Sequence, residues 1–242
     1  MIALITPTGG RQDQILLCAE FMRRQTYTGP VLWLIVDDCR PRTTDFIRDN
    51  FRDKWVIQKI HPKPIWQPGQ NTQGRNIAAA IDVLKVHNEI EAIFIIEDDD
   101  YYKPNYLDEM MARFPGYDLI GETHTVYYNL KCKRWIENQN REWSSLFQTA
   151  FRPSVIPKLE QLYGNKFIDY DLFRIVNPEK INLFHAGRLS IGMKGQPGRA
   201  GIGAGHGMTA RMIPDYSGDQ LRELIGIDYE LYSEYFSFDG VL

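Results

Sequence analysis

Within the first hundred residues, uninterrupted apolar runs recur at Ile2–Ile5, Val31–Val36 and Ala92–Ile96, and each stops at a polar or acidic cluster. The stops are Thr6-Pro7-Thr8-Gly9-Gly10, Asp37-Asp38 and Glu97-Asp98-Asp99-Asp100. Runs this short and this uniformly apolar read as strands buried on both faces. Between them lie stretches of helical period. Residues 12 to 24 carry Ile15, Leu16, Ala19 and Phe21-Met22 in step, and Gly74 to His87 carries Ile77, Ala80-Ile81 and Leu84 on one face. A helix is also expected around residues 43 to 52, and a further strand from Trp55 to Ile60. Residues 61 to 70, with three prolines and a glycine, are expected to form an ordered loop. Alternating strands and helices predict an α/β sandwich, with a mostly parallel central sheet covered by helices. Ligands on such sheets bind beyond the carboxyl ends of the strands, so the three clusters should converge on one cleft.

After about residue 115 the rhythm changes. Tyr117 to Tyr128 reads as one or two strands, residues 153 to 163 and 169 to 176 as helices, and residues 218 to 238 as two short helices. Gly187 to Gly207 holds eight glycines and is expected to form no regular element. No linker separates independent domains, so one domain over residues 1–242 is expected, its two halves meeting near residue 112 and sharing one sheet.

Composition narrows the function classes. Lys+Arg 28 against Asp+Glu 31 gives a net charge of −3, and therefore no global field for nucleic acid. Val31–Val36 is the longest apolar run, whereas a membrane helix needs about 20 residues, so no span is expected. Met1 leads into no signal-peptide pattern. Cys18, Cys39 and Cys132 are far apart and odd in number, which excludes a disulfide scaffold and a cysteine zinc site. A cytoplasmic location is the expectation.

Four adjacent carboxylates at a strand end repel one another unless a cation or a donor network compensates them. Hard divalent ions, Mn²⁺ or Mg²⁺, prefer oxygen ligands and commonly share them with phosphates. Side-chain alternation turns Glu97 and Asp99 one way, and Asp98 and Asp100 the other.

The run Ile95-Ile96-Glu97-Asp98-Asp99-Asp100, with Pro104 and Leu107, resembles the metal-binding acidic motif of GT-A fold nucleotide-sugar glycosyltransferases. Other segments agree in order: Ile5-Thr6-Pro7-Thr8 with that family's first strand and nucleotide loop, Val36-Asp37-Asp38 with its "VDD", and Gly74-Arg75-Asn76-Ile77-Ala78 with its "ARN" helix start. Ile168-Asp169-Tyr170-Asp171-Leu172-Phe173-Arg174 is similar to the "EDYDLW-R" segment of glycosyltransferase family 2, with Ile168 where the family has Glu. The matches cover about residues 1 to 176. The resemblance implies a GT-A-like fold whose first half, 1–112, binds the nucleotide sugar, and whose second half, 113–242, binds the acceptor and catalyses.

It further implies a nucleotide site at Thr6, Pro7, Thr8, Arg11, Asp37, Asp38, Arg75, Glu97 and Asp98, with Arg11 on the diphosphate. Asp99, Asp98 and His206 are the implied metal ligands, with His185 a second histidine candidate, and Asp169 is the implied catalytic base. Asp171, two residues on in the same segment, is the second candidate catalytic residue. Between Gly187 and Gly207, Lys194 and Arg199 are candidate phosphate contacts. Tyr127, Tyr128, Trp135, Trp143 and Phe147 fall where an acceptor would stack.

The activity so implied is metal-dependent, inverting transfer from a nucleotide-diphosphate sugar, UDP-linked by expectation, to a saccharide or glycan hydroxyl. One alternative is a DNA-modifying enzyme acting on a hydroxymethylated base, for which Lys131, Lys133, Arg134, Arg141 and Arg152 would meet phosphates. Another is a catalytically silent protein that binds nucleotide and divalent ion.

Overall fold

The apolar runs are strands, and their order in the sheet explains why the acidic stops meet. The computed structural model describes residues 1–47, 51–199 and 211–235. In chain order the elements are β1 (Ile2–Thr8), α1 (Gln12–Arg23), β2 (Val31–Asp37), β3 (Trp55–Ile60), α2 (Gln73–Leu84), β4 (Ala92–Ile95), β5 (Tyr101–Tyr102) and α3 (Tyr106–Met111). There follow β6 (Leu119–Glu122), β7 (His124–Asn129), β8 (Arg134–Gln139), β9 (Thr149–Phe151), α4 (Ile156–Leu159), α5 (Ile168–Ile175), β10 (Ile181–Phe184), β11 (Ser190–Lys194), β12 (Ile213–Pro214) and α6 (Asp219–Ile225).

Seven strands form the main sheet in the order β10-β6-β9-β4-β1-β2-β3. β1 pairs in parallel with β2 and β4, with Ile2 opposite Val31 and Ala92, and β2 pairs in parallel with β3. β9 is the antiparallel member, between β4 and β6. Alternation along the strands builds two cores. Ile2, Leu4, Trp33, Ile35 and Phe94 pack with Ile15, Cys18 and Phe21 of α1. Ala3, Ile5, Leu34, Ile93 and Ile95 pack on the other face with Ile77 and Ile81 of α2 and Leu172 and Phe173 of α5. The fold class is therefore the expected one, and no helix among the described residues is long and apolar enough to cross a membrane.

The structure departs from the sequence reading in three places. First, the described part of residues 43–52 is turn and bend, not helix. The Asp37 carboxylate accepts from the Thr43 backbone N–H at 2.7 Å, from the Thr44 N–H at 3.3 Å and from both threonine hydroxyls, which holds that stretch in a turn. Second, the chain beyond residue 112 supplies β6, β9 and β10 to the main sheet but also most of a second one, β12-β8-β7-β11-β5. The polar sequence of β8, Arg134-Trp135-Ile136-Glu137-Asn138-Gln139, hides its pairing with β7. Third, the glycine-rich segment contains a regular element after all, because Gly192 alone lies within β11. Gly187, Gly195 and Gly198 flank that strand at φ of 76°, 78° and 93°, where L side chains are strained.

A Cβ on Gly192 would lie 2.4 Å from Cδ1 of Tyr127 on the neighbouring strand. We therefore expect Gly192→Ala to destabilise the fold by about 1–3 kcal/mol through overpacking. Urea denaturation measures this, and an unchanged midpoint would show that the β7–β11 approach is not tight.

Candidate active site

β4 ends at Ile95, and the next residues turn instead of continuing the sheet, which brings four carboxylates to the carboxyl end of β1 and β4. Here the chain opens into a cleft of about 400 Å³. Glu97 and Asp99 face the cleft, whereas the side chains of Asp98 and Asp100 are fully buried behind them. The alternation expected from the sequence thus holds even though the segment is a turn.

Two cations answer the inner pair. Arg11, in the turn before α1, places Nη2 2.5 Å from Asp98 Oδ1 and Nη1 3.2 Å from Asp99 Oδ2. The Thr8 hydroxyl donates to Asp98 Oδ2 at 2.5 Å. Lys194, the last residue of β11, places its ammonium 2.9 Å from Asp100 Oδ1 and 3.9 Å from Asp99 Oδ2. That ammonium also lies 5.8 Å from the ring centroid of Tyr127 and 5.7 Å from that of Phe147. Burial alone would lower the Lys194 pKa, but Asp100, Asp99 and Glu97 hold it above the ordinary lysine value.

The carboxylates still outnumber the cations. Burial pushes the Asp98 carboxyl up to about 6, with Arg11 and the Thr8 hydrogen bond opposing and Asp99 and Glu97 adding. Burial likewise raises Asp100 and Glu97, against the pull of Lys194 in both cases. The site favours another positive charge.

Across the cleft, α5 presents Asp169 in its first turn. Its carboxyl is raised, mainly by burial, against the hydrogen bonds of the Tyr170 and Leu146 backbone N–H groups. Asp169 also raises Glu97, so the two acids feel each other across the space. Asp171 lies outside the cleft lining, and its Oδ2 accepts from Asn165 Nδ2 at 2.7 Å.

At the end of β2, Asp38 is a buried hub and not a cleft wall. Its Oδ2 accepts from the Thr72 hydroxyl, from Arg75 Nη2 at 3.0 Å and from Asn76 Nδ2 at 2.9 Å, and its Oδ1 pairs with Arg199 Nη1 at 3.0 Å. Arg199 reaches the cleft with its guanidinium 4.7 Å from the ring centroid of Trp66.

Of the remaining sequence candidates, Pro7, Thr8, Tyr127 and Phe147 line the cleft. Thr6 does not, because its hydroxyl accepts from Trp33 Nε1 in the core at 2.9 Å. Asp37 is engaged by its own turn, Tyr128 donates to Asp215 at 2.8 Å, and Trp143 packs on Tyr170. His185 stacks on His124, with ring centroids 4.4 Å apart, and lies outside the cleft lining. None of Lys131, Lys133, Arg134, Arg141 and Arg152 lines the cleft. Arg134 donates to the Met212 carbonyl, and Arg152 to those of Tyr117 and Glu91. His206 lies outside the described residues.

The sequence reading missed Gln73, whose Nε2 donates to Glu97 Oε1 at 2.6 Å, and it also missed Trp66 and Phe167 on the cleft walls. Gln73 stands one position before the matched Gly74-Arg75-Asn76 start. Trp66 lies in a proline-rich loop with no periodic signal.

The chemistry of the donor set can be tested against a divalent ion. Oxygens of Glu97, Asp99 and Asp100 lie within 4.8 Å of one another. Asp100 Oδ2 is buried and has no hydrogen-bond partner among the described residues. Hard oxygen donors, an unanswered lone pair and excess negative charge fit Mn²⁺ or Mg²⁺. This group includes Asp100 and not Asp98, whose carboxylate is held by Arg11 and the Thr8 hydroxyl.

No protein-family profile matches the chain, and no curated protein does. Solved structures do. S. aureus TarS superposes with a TM-score of 0.58 at 14% identity, over 79% of this chain and 36% of that one. The likeness shows a shared fold. It is a mixed α/β fold with a mostly parallel central sheet. S. aureus TarS 1–349 in complex with UDP matches at a TM-score of 0.55 and 14% identity, over 79% of this chain and 60% of that one. The same TarS fragment in complex with UDP-GlcNAc also gives 0.55 and 14%, over 98% and 70%. This chain thus spans about a third of the length of the longer TarS structure.

Proposed function

We propose that the protein transfers a sugar from a nucleotide diphosphate, UDP by preference, to an acceptor hydroxyl, with inversion at the anomeric carbon. The observation that carries the reading is the pair of facing walls. Strand-end carboxylates with two buried cations stand on one side of the cleft, and a desolvated, raised carboxylate, Asp169, on the other. The likeness to TarS structures in complex with UDP and UDP-GlcNAc supports a nucleotide-sugar donor.

In this reading Arg11, Lys194 and Arg199 face the diphosphate, and Arg75, outside the cleft lining, steadies the Asp38 hub that holds Arg199. Glu97, Asp99 and Asp100 would hold Mn²⁺ or Mg²⁺, with His206 a further candidate ligand. The bound ion would supply charge stabilisation to the departing diphosphate. Asp169 accepts the acceptor hydroxyl's proton as that oxygen attacks the anomeric carbon, and its raised pKa makes it a stronger base than an ordinary carboxylate. Tyr127 and Phe147 offer ring faces on which a saccharide acceptor can stack.

Purified protein with Mn²⁺ and a panel of nucleotide sugars tests this directly. One donor should raise the melting temperature and be slowly hydrolysed. Asp99→Asn should keep the fold by circular dichroism and lose the metal-stimulated turnover. A variant equally active after chelation would remove the metal from the reading, and silence toward every donor would leave a binding protein.

A further inference from the structure

A second concavity, about 40 Å³, lies at the carboxyl end of β2, and four basic side chains line it: Arg40, Arg42, His61 and Lys63. Among the described residues, Arg40, Arg42 and Lys63 have no carboxylate partner, and all three are exposed. The acids on the floor are already engaged. Asp37 is filled by the N–H and hydroxyl groups of Thr43 and Thr44, and Asp38 by Thr72, Asn76, Arg75 and Arg199. Three arginine and lysine cations, Arg40, Arg42 and Lys63, therefore line the concavity beside two carboxylates whose oxygens are already taken, in a chain whose net charge is −3. Asp45, on the same turn, does not line the concavity.

Unpaired like charges held around one hollow repel one another, and an anion relieves that cost. Two guanidinium forks and an ammonium match the several oxygens of a tetrahedral oxyanion better than the two of a carboxylate. The hollow is small but exceeds the 10–15 Å³ or so that one water needs. We propose that this pocket is a phosphoryl-group subsite, distinct from the main cleft and joined to it through Asp38, which lines the pocket while its carboxylate holds Arg199 at the cleft. The phosphoryl group comes either from a phosphodiester chain or from phosphate free in solution. The inference does not depend on the donor reading, and a protein inert toward every nucleotide sugar would still carry the subsite.

The test uses the full chain and a triple variant, Arg40→Gln with Arg42→Gln and Lys63→Gln, all exposed positions whose loss should leave the melting curve intact. Inorganic phosphate should raise the melting temperature of the parent and not of the variant. A short single-stranded oligonucleotide, followed by fluorescence anisotropy, should bind the parent at least about 10-fold more tightly than the variant. The variant's salt slope should be smaller by about 0.7 for every phosphate it no longer neutralises. Loss of both responses assigns the subsite to a phosphodiester chain. Loss of the phosphate response, with oligonucleotide binding unchanged, assigns it to free phosphate. A parent that answers to neither probe, or a variant that keeps both responses, overturns the proposal.

Discussion

Asp169→Asn is expected to lower turnover by at least about 10²-fold while leaving donor affinity within about twofold, the pattern of a lost proton acceptor. Asparagine keeps the shape and the hydrogen bonds from the Tyr170 and Leu146 N–H groups but cannot take a proton. The control is Asp171→Asn, which weakens the hydrogen bond with Asn165 and removes a charge that helps raise Asp169, and which should lower turnover far less than Asp169→Asn does. Steady-state kinetics with a saturating donor separates the two. Glu97 is the competing base, since it also faces the cleft and its pKa is also raised. An active Asp169→Asn enzyme beside a dead Glu97→Gln enzyme would move the proton acceptor to the strand end.

Lys194→Met is expected to destabilise the metal-free protein by about 3–5 kcal/mol, because it strips a fully buried carboxylate, Asp100, of its cation. Methionine fills the space of the lysine stem, so the loss is of charge and not of packing. The double variant Lys194→Met with Asp100→Asn should recover much of that loss, since it leaves no bare charge behind. Urea denaturation of the four proteins closes the cycle. A single variant within about 1 kcal/mol of the parent would mean that water or a neighbouring group already serves Asp100.

Much of this site was visible in the sequence because it rests on local rules. Alternation turned Glu97 and Asp99 one way and Asp98 and Asp100 the other, and this survived the change from strand to turn, although it did not say which pair faces the cleft. Uniform apolarity predicted a mostly parallel sheet but not its strand order, and the pairing of β1 with β4 explains why Arg11 meets the acids after β4. What escaped depends on partners distant in sequence. Thr6 looked like a loop hydroxyl but is claimed by Trp33, 27 positions on. Asp38 looked like a ligand contact, but its oxygens gather donors from residues 72 to 76 and from Arg199. Lys194 was noticed as a phosphate contact, but its pairing with Asp100 needs β11 to lie beside β5, a neighbourhood that the glycine content of that region concealed.

The two-sheet construction has a bearing on how such a cleft can diversify. Most of the acids at the floor and the Asp38 hub belong to turns at the ends of the seven-stranded sheet, whereas Tyr127 is carried by the five-stranded sheet, on a hairpin whose partner β8 is only half-buried. Substitutions along β8 would reshape one wall without disturbing the parallel strands that set the other. Lys194 is the exception, since it stands on the second sheet but neutralises an acid of the first. That wall can therefore be remodelled along the hairpin as long as this lysine stays fixed.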